Sequence, residues 1–285
     1  MLYQDKYFKY KEKYLNLKNT IEYSGGGKNN KKNSKKSKKN SKISRINNKN
    51  NKYIIGIAGA SGCGKTYFSE YLKKLLIDKN ISTEIVSCDD YYKSYSEKKN
   101  ASGKYITPVE NGDPTFNWDV PEVFDLKLLN NDLIDFNDNK NIKIPDFDFI
   151  ELHRKEKPKK IIKSSEVPVL IVEGLFVLYD EDIRSQLNLK IFIDSDSEIC
   201  LARRIFRDIV EGRQVKEDAT LEDKNKYFLR TIKTYKKNVQ PAYLQYIEPT
   251  KAHADLIINS EIDYTNTDTK TVNFILDEIQ TYFKV

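Results

Sequence analysis

The sequence is poor in the residues that build metal and disulfide sites. It holds only three cysteines and two histidines among 285 residues, and Cys63, Cys88 and Cys200 show neither zinc-ligand nor disulfide-framework spacing. We therefore expect reduced thiols in an intracellular, cytoplasmic protein without a zinc site. Long hydrophobic stretches are also missing, because no run of 18 apolar residues occurs. A membrane-spanning helix is accordingly not expected.

Acidic residues are scarce at the start of the chain. Residues 1–52 contain 16 Lys+Arg but only 3 Asp+Glu, which leaves 33 basic and 39 acidic residues in 53–285. The net charge of +7 thus belongs to a basic tail, and the remainder is mildly acidic. This division argues against a nucleic-acid-binding protein as a whole. It leaves the tail as the region able to contact nucleic acid.

Two segments precede the region that is able to form a core. Residues 24–52 are mostly Gly, Asn, Ser and Lys, a composition that predicts a disordered linker. Residues 1–23 are rich in Tyr and Lys, and their heptad-like repeat predicts a short helix. So short a repeat leaves open whether the helix forms a coiled coil, and hence a homo-oligomer, or is only marginally stable. The repeat consists of Tyr3, Tyr7, Tyr10, Tyr14, Leu17 and Ile21.

Residues 53–285 form the predicted catalytic domain, in which short apolar runs alternate with helical patterns. Near-continuous apolar strands between helices predict an α/β fold with a five-stranded parallel sheet and helices on both faces. Ligands of such sheets bind beyond the carboxyl ends of the strands, so the polar residues that end each run are the candidate functional residues. The predicted strands are 53–59, 83–88, 167–174, 189–194 and 254–259, and the later helices are 196–211, 222–240 and 266–283.

The first predicted strand leads into a phosphate-binding loop. Residues 59–66 read GASGCGKT and match the P-loop pattern G-x-x-x-x-G-K-[ST]. Glycines allow backbone N–H groups to form a concave phosphate cradle, and the helix that follows adds its positive dipole end. We expect Lys65 to reach the β and γ phosphates of ATP and Thr66 to ligate Mg²⁺. The predicted ATP-binding residues are Gly59, Ala60, Ser61, Gly62, Cys63, Gly64, Lys65 and Thr66.

Carboxylates follow two further strands. Asp89 comes directly after the second strand, and Glu173 ends the third. A base that accepts the proton of an attacking hydroxyl must lie near the γ-phosphate, which suits Asp89, whereas Glu173 suits Mg²⁺ binding. Paired aspartates are also common as solvated turn residues. The P-loop itself leaves GTPase, motor ATPase and kinase open, but the guanine-reading motif N-K-x-D is missing.

The order of the motifs resembles that of the uridine kinase family. After the P-loop come SCDDYYK, FNWDVPEVFD, IPDFDF, VEGLFVLY, FIDSD, RRIFRD and IEPTKAHADLIIN, spread over residues 53–260. The resemblance implies a P-loop kinase with a mobile lid, which uses ATP and Mg²⁺. Its expected reaction is phosphorylation of the 5′-hydroxyl of a pyrimidine nucleoside, uridine or cytidine, in pyrimidine salvage.

The resemblance also implies roles for individual residues. Asp89 corresponds to the catalytic base of the family and Glu173 to its magnesium-associated acid. Lys65, Arg204 and Arg207 are implied as catalytic phosphate-binding residues, Arg207 on the ATP side. The implied substrate contacts are Asp89, Tyr92 with the nucleobase, Asp119 with the ribose hydroxyls, and Arg204 and Arg213 of the lid.

The predicted base pocket departs from the family pattern P-x-Y-D-F-x-x-H. Residues 145–153 read PDFDFIELH, so Phe147 replaces the tyrosine and His153 comes one residue late. Both remain predicted substrate contacts. The lid has Glu211-Gly212-Arg213 where two arginines commonly flank the glycine, and Thr234 replaces a glutamine. Because a lost hydrogen bond shifts discrimination by about 1 kcal/mol or more, the choice between uridine and cytidine is left open.

Two other functions fit the same motifs. A related P-loop kinase of the phosphoribulokinase or pantothenate kinase type would share the phosphate machinery, although Asp119 and the IEPTK segment favour a nucleoside acceptor. A non-catalytic nucleotide-binding protein would dock on nucleic acid through its basic tail. The joint presence of Lys65, Thr66, Asp89 and Glu173 argues against this second function.

Overall fold

The structure is a computed structural model that describes residues 52–96, 103, 116–149, 151–210, 215, 219–260 and 269–283. The predicted helix in 1–23 and nearly all of the predicted linker lie outside these residues. The last residue of that linker, Lys52, is buried and donates from Nζ to the carbonyl oxygens of Ser164 and Val167, at 2.8 Å for Val167. Among the described residues, no helix is both long and apolar enough to cross a bilayer.

The chain alternates strands and helices. In order, the main elements are β1 (Tyr53–Gly59), α1 (Lys65–Asp78), β2 (Thr83–Ser87), α2 (Leu126–Asn137), β3 (Ile142–Ile144), β4 (Phe147–Asp148), β5 (His153–Arg154), β6 (Lys160–Ile162), β7 (Val169–Glu173), α3 (Glu181–Gln186), β8 (Leu189–Asp194), α4 (Ser197–Ile205), α5 (Leu221–Thr234), β9 (Leu256–Asn259) and α6 (Thr269–Phe283). Short 3₁₀ helices span Cys88–Tyr91, Pro121–Val123, Ser164–Glu166 and Glu248–His253.

A five-stranded parallel sheet confirms the predicted fold class. Its strand order is β2-β7-β1-β8-β9, and every neighbouring pair is parallel. From the central strand β1 the chain moves first to one side of the sheet and later to the other. Such a reversal leaves a crevice at the carboxyl end of the first strand, where ligands of open α/β sheets bind.

The sheet is buried on both faces, and its central strands are accordingly apolar at nearly every position. All seven residues of β1 and all five of β7 are buried. Alternate residues point to opposite faces, so Ile54 and Ile55 belong to different cores. The Ile54 face packs on α2 through Leu129, Leu133 and Phe136. The Ile55 face packs on α1 and α6 through Phe68, Leu72, Leu76, Val272, Ile275 and Ile279.

Two small antiparallel hairpins lie in the chain between β2 and β7. The strands β3 and β6 pair with each other, and β4 pairs with β5 so that Phe147 is opposite Arg154 and Asp148 is opposite His153. These strands are two or three residues long. Their shortness explains why hydrophobic periodicity did not predict them.

The helices after β8 contain π-helical turns. Residues Phe206–Val210 continue α4 as a π-helix, and α5 continues through two further π-helical segments, Tyr235–Val239 and Tyr243–Ile247, with Gln240–Ala242 between them. Most of the described residues within the predicted helices 196–211, 222–240 and 266–283 are helical. Because π-helical turns often occur at functional sites, the stretch after α4 and the stretch after α5 are both candidates for functional residues.

Candidate active site

The phosphate loop is a glycine cradle pressed against neighbouring backbone. Gly59, Gly62 and Gly64 have φ angles of 148°, 85° and 103°. A Cβ on Gly62 would lie 2.4 Å from the carbonyl oxygen of Cys200. The helix α1 begins directly after the loop and has no acidic residue in its first turn. No negative side chain there offsets the positive end of the helix dipole. The loop therefore has the shape and the polarity that phosphate binding requires.

Two side chains of the cradle supply the groups expected for a nucleoside triphosphate. Lys65 is buried and donates from Nζ to the carbonyl oxygens of Gly59 and Ala60 at 3.0 and 2.8 Å, so its ammonium group lies within the loop. Thr66 is exposed at the start of α1. Burial raises the pKa of the Cys63 thiol, which keeps it protonated and makes it a poor nucleophile.

One serine joins the Glu173 carboxylate to the backbone of Asp89. Ser87 lies opposite Glu173 in the pairing of β2 with β7. Its Oγ donates to Glu173 Oε1 at 2.7 Å and accepts from the backbone N–H of Asp89 at 3.3 Å. Close approach of the two strand ends requires Gly174, because a Cβ there would lie 2.2 Å from Cβ of Cys88. Asp89 and Glu173 thus share one corner of the sheet.

The charged groups at this corner shift one another's pKa values. Burial raises the pKa of Glu173, Lys65 lowers it, and the charge of Asp89 raises it further. Burial likewise raises the pKa of Asp119. The positive charges of Arg204 and Lys65 lower this pKa, and the negative charge of Asp89 raises it. The same lysine and the same aspartate therefore act on both buried carboxyl groups. The arrangement places the acids beside the cradle, as the proposed chemistry requires.

The neighbouring acid, Asp90, pairs with a lysine outside the cradle. It is buried, and its Oδ1 accepts a hydrogen bond from Lys159 Nζ at 2.8 Å. Burial raises the pKa of Asp90, and the contact with Lys159 partly offsets this shift. Of the two consecutive aspartates, only Asp89 is tied through Ser87 to Glu173, whereas Asp90 anchors the hairpin region.

The aromatic residues predicted to contact a nucleobase form a packed cluster. Tyr92 is buried, and its hydroxyl donates to the carbonyl oxygen of Trp118 at 3.1 Å. The Tyr92 ring lies 4.0 Å from Phe124 and 5.3 Å from Phe147, measured between ring centroids. Phe147 is also buried, whereas Phe149, 5.1 Å away, is 38% exposed. The Tyr92 hydroxyl is therefore engaged within the protein, and the rim of the cluster is apolar.

His153 lies beside this cluster and is half-buried on β5. Its Nδ1 contacts the carbonyl oxygen of Arg154, the next residue. Arg154 in turn donates to the carbonyl oxygens of Tyr91 and Tyr92 at 3.2 and 2.9 Å and pairs with Asp125 at 3.3 Å. Arg154 therefore fixes the segment that carries Tyr92. Apart from its position next to His153, no feature of the sequence pointed to this role.

Of the three predicted lid arginines, Arg204 lies within the site. Its NH1 group is 3.3 Å from Ser61 Oγ of the cradle and 3.9 Å from Asp119 Oδ1, so it connects the cradle with the predicted ribose carboxylate. Arg207 lies at the margin, with its Nε donating to Asp208 at 2.8 Å. Arg213 lies outside the described residues, as do Glu211 and Gly212.

The adjacent Arg203 was not predicted as a functional residue. Its NH1 donates to the carbonyl oxygen of Cys63 at 3.1 Å and to Ser260 Oγ at 2.9 Å, and NH2 donates to the carbonyl oxygen of Ser260 at 3.1 Å. It therefore fastens the cradle to the end of β9. From the sequence, Arg204 and Arg207 are predicted to bind phosphate, and no role is assigned to Arg203.

A cavity opens between the cradle and the helical stretch that follows α5. Its volume is only about 30 Å³, and it is lined by Ala60, Ser61 and Asp119 on one side. The opposite wall is a stripe at four-residue steps, formed by Tyr235, Val239, Tyr243 and Ile247. Sequence analysis missed this wall, because the stripe combines α-helical and π-helical turns.

Comparison with known proteins identifies the family. The sequence model of the Phosphoribulokinase / Uridine kinase family matches residues 54–266, a range that includes the cradle, both strand-end acids, Asp119 and the lid arginines. The chain belongs to this family. The resemblance on which the sequence analysis relied is thereby confirmed, and residues 1–53 lie outside the matched range.

Individual relatives within the family are similar over most of the domain. A uridine kinase from Lactobacillus johnsonii is 36% identical over 207 residues, which cover 72% of this chain and 85% of that protein. A uridine-cytidine kinase B from Dictyostelium discoideum is 33% identical over 206 residues, or 72% of this chain and 74% of that protein. A crystal structure of a putative fructose transport system kinase from Silicibacter sp. TM1040 aligns with a TM-score of 0.53 and 18% identity. It covers 72% of this chain and 89% of that one, and at this identity it shows the shared fold.

The geometry of the cradle requires glycine at position 62, and this requirement can be tested by substitution. Gly62→Ala should lower the free energy of unfolding by about 1–3 kcal/mol, because alanine is strained at this φ, and should weaken ATP binding as its Cβ displaces the loop from Cys200. Chemical denaturation and calorimetric titration with ATP measure the two effects. Gly103→Ala is the matched control, since its φ is 80° but its Cβ would meet nothing within 4 Å. Equal ATP affinities in the two variants would contradict the prediction.

Proposed function

We propose that this protein transfers the γ-phosphoryl group of ATP to the 5′-hydroxyl of a pyrimidine nucleoside, uridine or cytidine, to give the nucleoside monophosphate in pyrimidine salvage. The observation that carries the proposal is the hydrogen-bonded arrangement around the cradle: Ser87 joins Glu173 to the backbone of Asp89, and Arg204 contacts both Ser61 of the cradle and Asp119. The relatives named for uridine and cytidine favour a nucleoside over a sugar phosphate or pantothenate.

The cradle binds the phosphates of ATP. Backbone N–H groups and Lys65 hold the phosphate oxygens and offset their charge in the transition state. Thr66 and Glu173 supply the oxygen donors that would hold Mg²⁺, with further oxygens from phosphate and water, as this ion prefers. The described residues contain no cluster of three or more His, Cys, Asp or Glu side chains able to hold a metal ion. When bound, Mg²⁺ neutralises charge on the phosphate oxygens.

The acceptor is oriented by two carboxylates. Asp119 offers two oxygens to the vicinal hydroxyls of a ribose, which are two donors at fixed separation. Asp89 accepts the hydrogen bond of the 5′-hydroxyl and takes its proton late, because the transition state of phosphoryl transfer is loose. Arg204 spans the gap between Ser61 and Asp119, so its planar fork lies where charge spreads over the transferring group.

Acceptor affinity should depend on pH through Asp119. Burial raises the pKa of its carboxyl group, and only the ionised form accepts hydrogen bonds from both ribose hydroxyls. As the pH falls through this raised pKa, the acceptor KM should therefore rise, and it should do so at a higher pH than for an ordinary aspartate. Initial rates at saturating ATP, from neutral to mildly acidic pH, measure the effect. Asp119→Asn should lack this rise; an identical rise in both proteins would contradict the assignment.

The proposed reaction is tested with a panel of acceptors. The full-length protein is incubated with Mg-ATP and uridine, cytidine, thymidine, adenosine or guanosine, and with ribulose 5-phosphate or pantothenate. We expect ADP and monophosphate from uridine, cytidine or both. Product from ribulose 5-phosphate or pantothenate alone would assign the protein to the other branch of kinases. If ATP binds but no acceptor is phosphorylated, the catalytic proposal is wrong.

A further inference from the structure

Asp208 is a buried carboxylate that the reaction scheme above does not use. It lies on the π-helical turn Phe206–Val210 and is 3% exposed. A buried charge is costly unless it is paired. Its partners are the two lid arginines: Arg207 Nε lies 2.8 Å from Oδ1, and Arg204 Nε lies 3.7 Å from Oδ2. Each oxygen thus faces a different arginine.

Both contacts involve the Nε side of a guanidinium group. This leaves the terminal nitrogens of Arg204 directed elsewhere, with NH1 at 3.3 Å from Ser61 Oγ and 3.9 Å from Asp119 Oδ1. A guanidinium group is planar and its donors have fixed directions. For Arg207 the hydrogen bond from Nε to Asp208 sets the plane of the fork. For Arg204 the contact at 3.7 Å is an ion pair without a hydrogen bond at Nε, which draws that side of the fork toward Asp208 while NH1 reaches the cradle.

The local backbone explains how one acid reaches both arginines. Positions 204 and 208 are four residues apart and share a helix face, but adjacent side chains such as those of 207 and 208 do not face each other on a regular α-helix. The contact between Arg207 and Asp208 occurs where the helix is π-helical. The carbonyl oxygen of Asp208 also accepts from the N–H of Val215 at 3.2 Å, so the backbone of Asp208 is held as well as its side chain.

We infer that Asp208 is a positioning residue for phosphoryl transfer, which orients Arg204 and Arg207 toward the transferring group without contacting substrate. The inference rests on the proposed kinase function. Arginine contributes to phosphoryl transfer through geometry as much as through charge. A fork that is free to rotate would therefore lose much of its effect on the transition state, even though its charge remains.

The first test is Asp208→Asn, which keeps the shape of the side chain but removes its charge. We expect kcat to fall by about 10²-fold, the typical loss when a catalytic group is misplaced by about 1 Å, with a smaller change in the KM of the acceptor. Steady-state ADP release with the best acceptor of the panel measures both constants. Glu222→Gln, an exposed acid on α5, is the charge-matched control and should behave like the wild type.

A double-mutant cycle separates positioning from a merely structural role. If Asp208 acts through Arg204, Asp208→Asn should cost little further activity in an Arg204→Ala background, because residues that act as a unit are not additive. Losses that multiply would overturn the inference, as would an unchanged kcat in Asp208→Asn. Should Asp208→Asn prove unfolded by circular dichroism, Asp208→Glu is used in the same cycle, with the same two outcomes.

A binding measurement keeps the inference testable if no acceptor is found. The aligned arginines should favour ATP over ADP through the γ-phosphate, so the ATP/ADP affinity ratio should fall about tenfold in Asp208→Asn, or about 1.4 kcal/mol. Isothermal titration of wild type and variant with each nucleotide measures this ratio. An inactive wild type would refute the proposed function, whereas an unchanged ratio would refute the role of Asp208.

Discussion

Asp89→Asn is expected to lower kcat by about 10³-fold, within the range that a positioned general base contributes, while ATP still binds. An amide cannot take the proton of the 5′-hydroxyl, but the cradle and Lys65 are unaffected by the change. The backbone N–H of Asp89 is held by Ser87, so the position of residue 89 should be retained. Single-turnover rates and calorimetric titration with ATP measure chemistry and binding separately.

Asp90→Asn provides the matched control for this prediction. Its carboxylate faces Lys159 rather than the cradle, so the substitution should leave kcat within a few-fold of the wild type. Lys159 is half exposed, and the effect on stability should therefore be small. If Asp90→Asn loses as much activity as Asp89→Asn, or if Asp89→Asn remains fully active, the assignment of the base is wrong.

Asp119→Ala should lower kcat/KM for a ribonucleoside by about 10³-fold, because two hydrogen bonds to a charged group, each contributing about 1.5–3 kcal/mol, are lost together. Asp119 is buried beside Arg204, where solvent cannot replace the carboxylate. The KM for ATP should change much less, since the cradle does not depend on this side chain. Initial rates with varied acceptor and with varied ATP distinguish the two effects.

Acceptors that lack a ribose hydroxyl provide the control. The wild type should use 2′-deoxy and 3′-deoxy nucleosides less well than the ribonucleoside, whereas Asp119→Ala should discriminate little among the three. If the preference for a ribose hydroxyl disappears when Asp119 is removed, the two groups are energetically coupled, as expected for direct contact. If Asp119→Ala retains the full preference for the ribonucleoside, Asp119 does not bind the diol.

The features that were predictable from the sequence are those that depend on local order along the chain. Buried parallel strands need apolar residues at nearly every position, and β1 and β7 show this directly. The glycines of a P-loop pattern between a strand and a helix permit the positive φ angles that a phosphate cradle needs. The position of an acid at a strand end also fixes which edge of the sheet it occupies, because all strands are parallel. The fold class, the cradle and the location of Asp89 and Glu173 follow from these constraints.

The directions of side chains and their partners did not follow from the sequence. Asp89 and Asp90 are adjacent and chemically alike, yet Asp90 faces Lys159, which is far away in sequence. The Tyr92 hydroxyl is engaged by the carbonyl oxygen of Trp118, and Asp208 reaches two arginines through a π-helical turn. Each of these depends on which residues from distant segments meet once the core has packed. Local patterns determine which face or edge a residue occupies, but a hydrogen bond or ion pair needs the position of both partners, and only the folded chain provides that.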